Sequence, residues 1–437
     1  MKAFYIITLL FLFQYSGAQI LSERERAKIQ DEILADRFDN LLPSLMDRAE
    51  IDMWIVISRE YNEDPVMRTM LPATWLNARR RTILVFYRDK EKDSIEKLAV
   101  ARYDVGTNIV SAWNPETQPN QWQRLVEIIS ERNPEKIGLN FSTHEGIADG
   151  IVKTDYEEFL EVLPENEKSK IVSAENLAIS WIETRTEKEM IHYETLVKIT
   201  HEIIDEAFSL KIITPGKTTT EDVVWWMREK ITNLGLDTWF HPSVNFQRRD
   251  EPLQNHIEAF SSGYDDQVIQ AGDLLHCDVG INYLGLNTDC QQHSYVPLEG
   301  ETEVPEFLKE AFAKGNQVQD IFTANFKEGK TGNQILLKSL SEAKEAGLRP
   351  SIYTHPLGTY GHSAGPTIGM WDAQEGVPGS GDYPLYRNTV YAIELNTTVF
   401  IKEWDKDIRI MLEEAGFYGD QGFRYVNGRQ EKIRLVN

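Results

Sequence analysis

Apolar residues follow two different spacings along the first part of the chain. Apolar runs typical of buried strands fall at 51–58, 82–88, 97–105 and 136–142. Between the runs, the pattern over 122–131 has the spacing of a helix, and a charged amphipathic helix is predicted over 20–50. Strands that alternate with helices indicate an α/β domain, which we place at residues 19–184.

The spacing becomes helical where this domain ends. Thr186 and Glu189 have the arrangement of a capping box, and the apolar residues that follow recur at helical spacing. A long helix is therefore predicted to open a second domain, residues 185–437. We expect this helix to end at 215–216 and the next helix to begin around Thr220.

A Gly-Lys-Thr triplet occurs twice in the second domain, at Gly216 and at Gly329, and each copy stands between two helical patterns. The repetition predicts a domain built from two similar halves. Neither triplet is a phosphate-binding loop, because the glycine required five positions earlier is absent.

Composition narrows the class of protein. The chain has 437 residues, 41% hydrophobic and 26% charged, which indicates an ordinary globular protein of at least two domains. Its formal net charge of -23 argues against a nucleic-acid partner, because phosphate binding depends on clustered lysine and arginine.

The first residues have the three-part layout of a secretory signal. Lys2 precedes an apolar run over 4–13, and small residues follow up to Ala18. We assign residues 1–18 to a signal peptide and expect an exported chain, periplasmic or secreted, that begins near Gln19. The alternative is an N-terminal anchor or a buried helix. The run is short for a membrane span, and no later stretch is apolar enough for one.

Two aspartates lie eleven positions apart within the segment 276–289, HCDVGINYLGLNTD. The segment predicts a hairpin with its turn near 283–284, which would place Asp278 directly opposite Asp289. Two opposed carboxylates repel each other unless a cation lies between them. We therefore expect a metal here, and the alternative is a pair of solvated surface aspartates.

The chain has two cysteines, Cys277 and Cys290, too few for a disulfide scaffold. In the predicted register they face each other across the hairpin. They would either form a cross-strand disulfide in an oxidising compartment or remain two buried free thiols.

Further candidate ligands lie downstream. His355 and His362 flank a glycine-rich segment, where the backbone can approach a ligand closely. Glu394 interrupts a buried-strand pattern over 390–401 and is costly to bury without a partner. In the alternating segment 407–418, Arg409 and Met411 share a face with Glu413, so that Glu413 rather than Glu414 is expected to point inward.

The combined set is oxygen-rich and contains one imidazole. Such a set suits Mn(II), Co(II), Fe(II) or Zn(II), with manganese as our first choice. Four carboxylates exceed the needs of one ion, so we expect two divalent ions roughly 3.5 to 4 Å apart that share an activated water. The predicted metal ligands are Asp278, Asp289, His355, Glu394 and Glu413.

This order of residues resembles the pita-bread metallopeptidases, the family of creatinase, aminopeptidase P and prolidase, and in particular its Xaa-Pro peptidase branch. The resemblance covers residues 185–437 and rests on Asp, ten residues, Asp, then His-x2-Gly-x3-His, then two glutamates. It implies a pita-bread α+β catalytic domain with pseudo-twofold halves after an α/β N-terminal domain.

The resemblance also implies roles for individual residues. His362 matches the second, substrate-side histidine, and Arg409 matches the arginine before the last glutamate. His256 matches a histidine upstream of the first aspartate that faces the substrate, with His241 as the competitor for that role. Departures from the family pattern are Met411 and Leu412 before the last glutamate, and Ser351 where proline-specific members often have histidine.

The implied reaction is cleavage between an N-terminal residue and a following proline in short peptides. A metal-bridging water attacks the carbonyl, Glu394 or Glu413 accepts its proton, and His256 or His362 stabilises the oxyanion. The alternatives are a prolidase-type dipeptidase, a metal-free enzyme like creatine amidinohydrolase, and a non-catalytic binding protein. A homodimer is also implied by the resemblance alone.

Overall fold

The computed structural model describes residues 20–253 and 267–437. The predicted signal peptide and His256 lie outside the described residues. None of the helices in the described ranges is long and apolar enough to cross a bilayer.

One mixed sheet organises the N-terminal part. Its strands are β1 Met53–Arg59, β2 Arg81–Asp89, β3 Ser94–Val100, β4 Val110–Ser111, β5 Ile137–Leu139 and β6 Ile171–Ser173. They lie in the order β4-β3-β2-β1-β5-β6, and the central strand β1 runs antiparallel to β2 and parallel to β5. The helices are α1 Glu23–Asp36, α2 Leu42–Ala49, α3 Pro65–Arg68, α4 Gln121–Arg132, α5 Lys153–Val162, α6 Glu165–Lys168 and α7 Glu175–Glu183, with a π-helix at Arg37–Leu41 and a 3-10 turn at Gly146–Ala148.

Side chains alternate across this sheet and bury a core on each face. Trp54 of β1 packs beside Trp181 of α7 on one face, and both are fully buried. Ile55 packs with Leu125 of α4 and Phe159 of α5 on the other face. The α/β fold predicted for this part of the chain is confirmed.

Within residues 187–253 and 267–437, the longer helices are α8 Glu187–Ala207, α9 Thr220–Asn233, α10 Glu306–Ala324 and α11 Gly332–Glu345. The predicted capping box at Thr186 and the start of α9 are both confirmed. The predicted end of α8 at 215–216 is wrong, because the helix ends at Ala207. Phe208 and Ile213 are both buried in the same core, so the chain must turn between them.

The two helix pairs repeat each other, as the Gly-Lys-Thr triplets predict. Gly216 and Gly329 both have positive φ, of 81° and 77°. Thr219 caps α9 and Thr331 caps α11, each through a capping box. The first pair packs on one core cluster and the second pair on another, which gives the domain its two halves.

Short strands join the two halves in sheets of order β19-β11-β8-β7, β12-β15-β16, β13-β14-β17-β18 and β10-β9. The strands are β7 Ser243–Gln247, β8 Leu274–Val279, β9 Asn282–Tyr283, β10 Leu286–Asn287, β11 Cys290–Tyr295, β12 Pro350–Ile352, β13 His355–Leu357, β14 Thr389–Ala392, β15 Leu395–Ile401, β16 Lys406–Leu412, β17 Ala415–Gly419, β18 Gly422–Tyr425 and β19 Arg434–Leu435. A 3-10 turn lies at Ser380–Asp382.

The chain passes from one sheet to another at short breaks between strands. The run 390–401, predicted as one strand, is two strands that belong to different sheets, with the break at 393–394. The segment 407–418 divides in the same way at 413–414, and 350–357 divides at 353–354. A strand that changes sheet can turn a polar side chain into the space between the sheets.

The central hairpin turns at Leu284 and Gly285, whose φ angles of 56° and 76° suit a type I′ turn. Asp278 consequently pairs with Gln291 rather than with Asp289, and Cys277 pairs with Gln292 rather than with Cys290. The predicted register is wrong by two positions, because glycine supports positive φ one residue later than expected. Since side chains alternate with period two, the shift leaves both aspartates on the predicted face.

Candidate metal centre

The structure brings the five predicted ligands together, with Asp278 near the end of β8 and the other four beside breaks between strands. Asp289 immediately precedes β11, and His355 is the first residue of β13. Glu394 and Glu413 lie in the breaks after β14 and β16. Ligand atoms of Asp278, Asp289 and Glu413 all lie within 4.8 Å of one another, and so do those of His355, Glu394 and Glu413.

The four carboxylates share a buried site and repel one another. Asp289 is 4% exposed and Glu413 is 1% exposed. Burial raises the pKa of Asp278, and burial together with the neighbouring carboxylates raises the pKa of the other three well above the ordinary range. Without a cation these shifts favour the protonated carboxyl groups, and a bound cation would favour the charged ones.

His355 presents its lone pair to this cluster. Its Nδ1 lies 3.0 Å from the carbonyl oxygen of Pro356, which can only accept, so Nδ1 carries the hydrogen. Its Nε2 is left 3.6 Å from Asp289 Oδ2 and 3.8 Å from Glu413 Oε1. Burial lowers the pKa of His355 to about 3, with a further contribution from His362, which keeps the ring neutral. This is the tautomer that a metal requires.

Several buried acceptor atoms of the cluster lack a hydrogen-bond partner. They are Asp278 Oδ1, Asp289 Oδ1, His355 Nε2 and Glu413 Oε1. Buried polar atoms in native proteins are nearly always paired, so a group of unpaired acceptors indicates a positively charged ligand. Hard oxygen donors with one imidazole fit divalent ions such as Mn(II), Co(II), Fe(II) or Zn(II).

His362 lies at the exposed rim of this centre. Its ring centroid is 4.7 Å from that of His355, at an angle of 88°. On its other side Trp239 packs at 5.1 Å and donates from Nε1 to the carbonyl of Thr288 at 2.8 Å. The rim thus combines an accessible imidazole with an aromatic wall that is fixed next to Asp289.

The other predicted catalytic residues have different positions. Arg409 is half-buried on β16 and lies near Tyr353, whose hydroxyl in turn is within electrostatic range of Glu394 and Glu413. His241 contacts Trp225 and Arg228. His256, the preferred candidate for the role that His241 competes for, is outside the described residues.

Glu414 points to the opposite side of the backbone from Glu413, as side-chain alternation predicts. Its carboxylate lies 2.7 Å from His201 Nε2 and accepts from Gln292 Nε2 at 2.6 Å. Cys277 and Cys290 are buried free thiols, the second of the two predicted alternatives.

Sequence reasoning missed Gln291, Trp239 and Tyr353 as neighbours of the centre. Gln291 follows Asp289 by two positions, so the alternation that paired the aspartates also predicts its direction. For Trp239 and Tyr353, which come from distant segments, the sequence holds no comparable signal.

Comparison with known proteins identifies the family and the fold. Residues 192–424 match the model of metallopeptidase family M24. Similar solved structures include an X-Pro aminopeptidase from Thermotoga maritima MSB8, with a TM-score of 0.61, 15% identity and coverage of 89% of this chain and 100% of that one. An Xaa-Pro dipeptidase from Bacillus anthracis has a TM-score of 0.56, 16% identity and coverage of 95% and 100%.

One similar solved structure belongs to a protein that is not named as a peptidase. The N-terminal domain of the FACT complex subunit SPT16 from chickpea has a TM-score of 0.52 at 12% identity, with coverage of 94% of this chain and 99% of that one. No curated protein matches the chain in sequence. At identities this low, the solved structures establish the fold alone.

Proposed function

Because the chain belongs to metallopeptidase family M24, we propose that it is an exported dinuclear-metal peptidase that hydrolyses the bond between an N-terminal residue and a following proline. The observation that carries the proposal is the group of buried acceptors without hydrogen-bond partners, contributed by Asp278, Asp289, His355 and Glu413. The Xaa-Pro preference is supported by the names of the structural neighbours.

Five side chains would hold the metal. Asp278, Asp289, His355, Glu394 and Glu413 supply more carboxylate than one ion needs, which favours two. We expect manganese first, with cobalt, zinc or iron as the alternatives. Two such divalent ions would polarise the scissile carbonyl and lower the pKa of a water molecule.

The chain's own groups then move the proton and stabilise charge. Glu394 or Glu413 receives the proton of the attacking water and delivers it to the leaving nitrogen. His362, exposed at the rim, donates a hydrogen bond to the oxyanion, a role that we also propose for His256. A proline nitrogen in a peptide bond has no hydrogen to donate, so the site must select it by shape, and Trp239 supplies an aromatic surface beside His362.

Export is proposed from the amino-terminal sequence, with removal of residues 1–18 and a mature chain that begins near Gln19. Amino-terminal sequencing of chain recovered from the periplasm or the medium tests this directly. A chain that retains Met1 and remains in the cytoplasm would contradict it.

Activity is tested with purified mature chain that has been stripped by a chelator and reloaded with Mn(II), Co(II) or Zn(II). We expect hydrolysis of an Xaa-Pro panel, and its loss in Asp289→Asn with every metal. The control is Asp237→Asn, an exposed aspartate that bridges to the same hairpin at Asn282. Unchanged turnover in Asp289→Asn would contradict the proposal.

A prolidase-type dipeptidase is the second candidate, and the similar structure from Bacillus anthracis favours it. Xaa-Pro dipeptides compared with Xaa-Pro-Xaa tripeptides separate the two activities. The similar chickpea structure is named as a domain of a FACT complex subunit and not as a peptidase, which supports keeping a non-catalytic protein as an alternative. A chain without divalent metal after careful reconstitution would favour a non-catalytic binding protein.

A further inference from the structure

One neutral amide contacts two of the carboxylates in the metal centre. Gln291 is 4% exposed on β11. Its Nε2 donates to Glu394 Oε1 at 2.5 Å and to Glu413 Oε2 at 3.0 Å. Both hydrogens of the amide are therefore directed at groups that would bind metal.

The backbone of Gln291 is fixed on both sides. Its N–H donates to the carbonyl of Glu413 at 3.0 Å, and the N–H of Glu413 donates back at 3.2 Å. On the other side Gln291 pairs with Asp278 across the hairpin. A side chain that leaves so constrained a backbone has little freedom to move away from the two glutamates.

A buried histidine fixes the orientation of the amide. His276 Nε2 lies 3.0 Å from Gln291 Oε1, and His276 is 4% exposed. The reversed amide would point its oxygen at two carboxylates, so Oε1 must face His276, and Nε2 of His276 must carry a hydrogen. His276, Gln291 and the two glutamates thus form one directed chain of hydrogen bonds.

We propose that Gln291 is a positioning residue of the metal centre, which fixes the oxygens of Glu394 and Glu413 that face the ions, and that His276 holds its amide in place. For Glu413 the division is visible: Oε2 accepts from Gln291, while Oε1 has no partner and faces His355 Nε2 at 3.8 Å. The inference rests on the metal centre of the proposed function.

An amide suits this position better than a cationic side chain. Lysine or arginine here would donate to the same oxygens, but its charge would neutralise the carboxylates and repel divalent ions. Glutamine supplies two hydrogens without charge, so it orders the ligands and leaves their negative charge for the metal.

The test compares Gln291→Met with Gln292→Met. Gln292 is the next residue, is 1% exposed, and donates from Nε2 to Glu414 Oε1 at 2.6 Å on the opposite face of the strand. Each substitution removes one buried amide that donates to a carboxylate, and Gln292 also accepts from Arg434, so Gln292→Met controls for the general cost of losing a buried amide. The measurement is calorimetric titration of chelator-stripped full chain with Mn(II), together with the visible spectrum of the Co(II) form.

We expect Gln291→Met to weaken Mn(II) binding about 10- to 100-fold, as loss of a group that orients ligands commonly does, and to alter the Co(II) spectrum. Gln292→Met should keep the Mn(II) affinity within about twofold of that of the parent chain and leave the Co(II) spectrum unchanged, although its melting temperature falls. His276→Phe, which leaves the glutamates untouched, should give a smaller loss in the same direction and serves if Gln291→Met does not fold.

Wild-type affinity and stoichiometry in both Gln291→Met and His276→Phe would overturn the inference. An equal loss in Gln291→Met and Gln292→Met would overturn it too, because it would reflect general destabilisation. These measurements use metal alone, so failure of peptide hydrolysis in a chain that binds two ions would count against the proposed function and not against Gln291.

Discussion

Glu413 and Glu414 are adjacent, both 1% exposed, and they differ in how their charge is compensated. Glu413 points to a group of carboxylates and leaves Oε1 without a partner. Glu414 points to the opposite face of the chain, where His201, the amide of Gln292 and the N–H of Gln430 contact its two oxygens. Burial is equal, and only Glu413 has a carboxylate oxygen without a donor, although its other oxygen accepts from Gln291.

The contrast shows what identifies a metal centre in this fold. His201, Cys290 and Glu414 also bring potential ligand atoms within 4.8 Å of one another. Both carboxylate oxygens of Glu414 already have partners, so this cluster is stabilised without an ion. Unpaired buried acceptors, rather than the spacing of ligand-type residues, distinguish the two faces.

The largest expected difference between the two faces is in catalysis. Glu413→Gln should lower kcat/KM by at least about 100-fold and reduce the bound metal, since losing a ligand costs more than losing a group that orients one. Glu414→Gln should keep the metal content but lower the free energy of unfolding by about 1.5 to 3 kcal/mol, because the hydrogen bond to His201 loses its charge.

Elemental analysis, peptide hydrolysis and urea unfolding on the two isosteric variants provide the check. Equal metal loss in both variants would show that the two faces act as one site. Metal loss in Glu414→Gln alone would reverse the assignment of the inward glutamate.

A second difference concerns pH in the absence of metal. Burial and mutual repulsion raise the pKa of the four clustered carboxylates, so the folded chain binds more protons than the unfolded chain above the ordinary carboxyl range of about 4. The free energy of unfolding of stripped protein should therefore fall as pH rises from about 4 upward.

Added Mn(II) should reverse that trend, because it binds the deprotonated ligands. At 100 times its Kd the expected stabilisation is about 2.7 kcal/mol. At one fixed Mn(II) concentration the stabilisation should be larger at pH 8 than at pH 5.5, because protons compete with the metal for the ligands at low pH. Thermal melts of stripped and loaded chain at both pH values measure it. Stripped Asp289→Asn should depend less on pH, and a stripped parent chain that is more stable at pH 8 would contradict the argument.

Sequence predicted the ligands of this centre better than it predicted the structure that holds them. Side-chain alternation and the order of the motif predicted that Asp278, Asp289 and Glu413 point to the same site. This prediction is correct although the predicted hairpin register is wrong by two positions. The register was predicted wrongly because the position of the turn depends on which residue can adopt a positive φ, and that residue is Gly285. Glu394 interrupts the apolar run over 390–401, but a single polar residue does not indicate that the chain changes sheet there, so the break could not be predicted.

A smaller effect on stability is expected from His201, which contacts the carboxylate of Glu414. Burial disfavours its charged form, but the charge of Glu414 and the hydrogen bond to it outweigh burial and raise its pKa above the ordinary 6.5. The stabilisation is therefore complete below about pH 6.5 and is lost as pH rises through the raised value, at about 1.4 kcal/mol per unit of pKa difference. The gap in unfolding free energy between parent chain and His201→Gln should be larger at pH 6 than at pH 9. A gap that widens at pH 9 would contradict a protonated His201.

The smallest effect is expected at the two thiols, which lie opposite Val279 and Gln292 rather than opposite each other. The turn at Gly285 already sets the register, so a disulfide is not needed to hold it. Because both thiols are buried and burial raises the pKa of each, iodoacetamide should leave the native chain unmodified and add two groups per chain after unfolding in guanidinium. Mass spectrometry with and without prior reduction checks this, with Cys277→Ala as the one-thiol control. Modification that requires a reductant would mean that the thiols pair, and that the hairpin has the register in which they face each other.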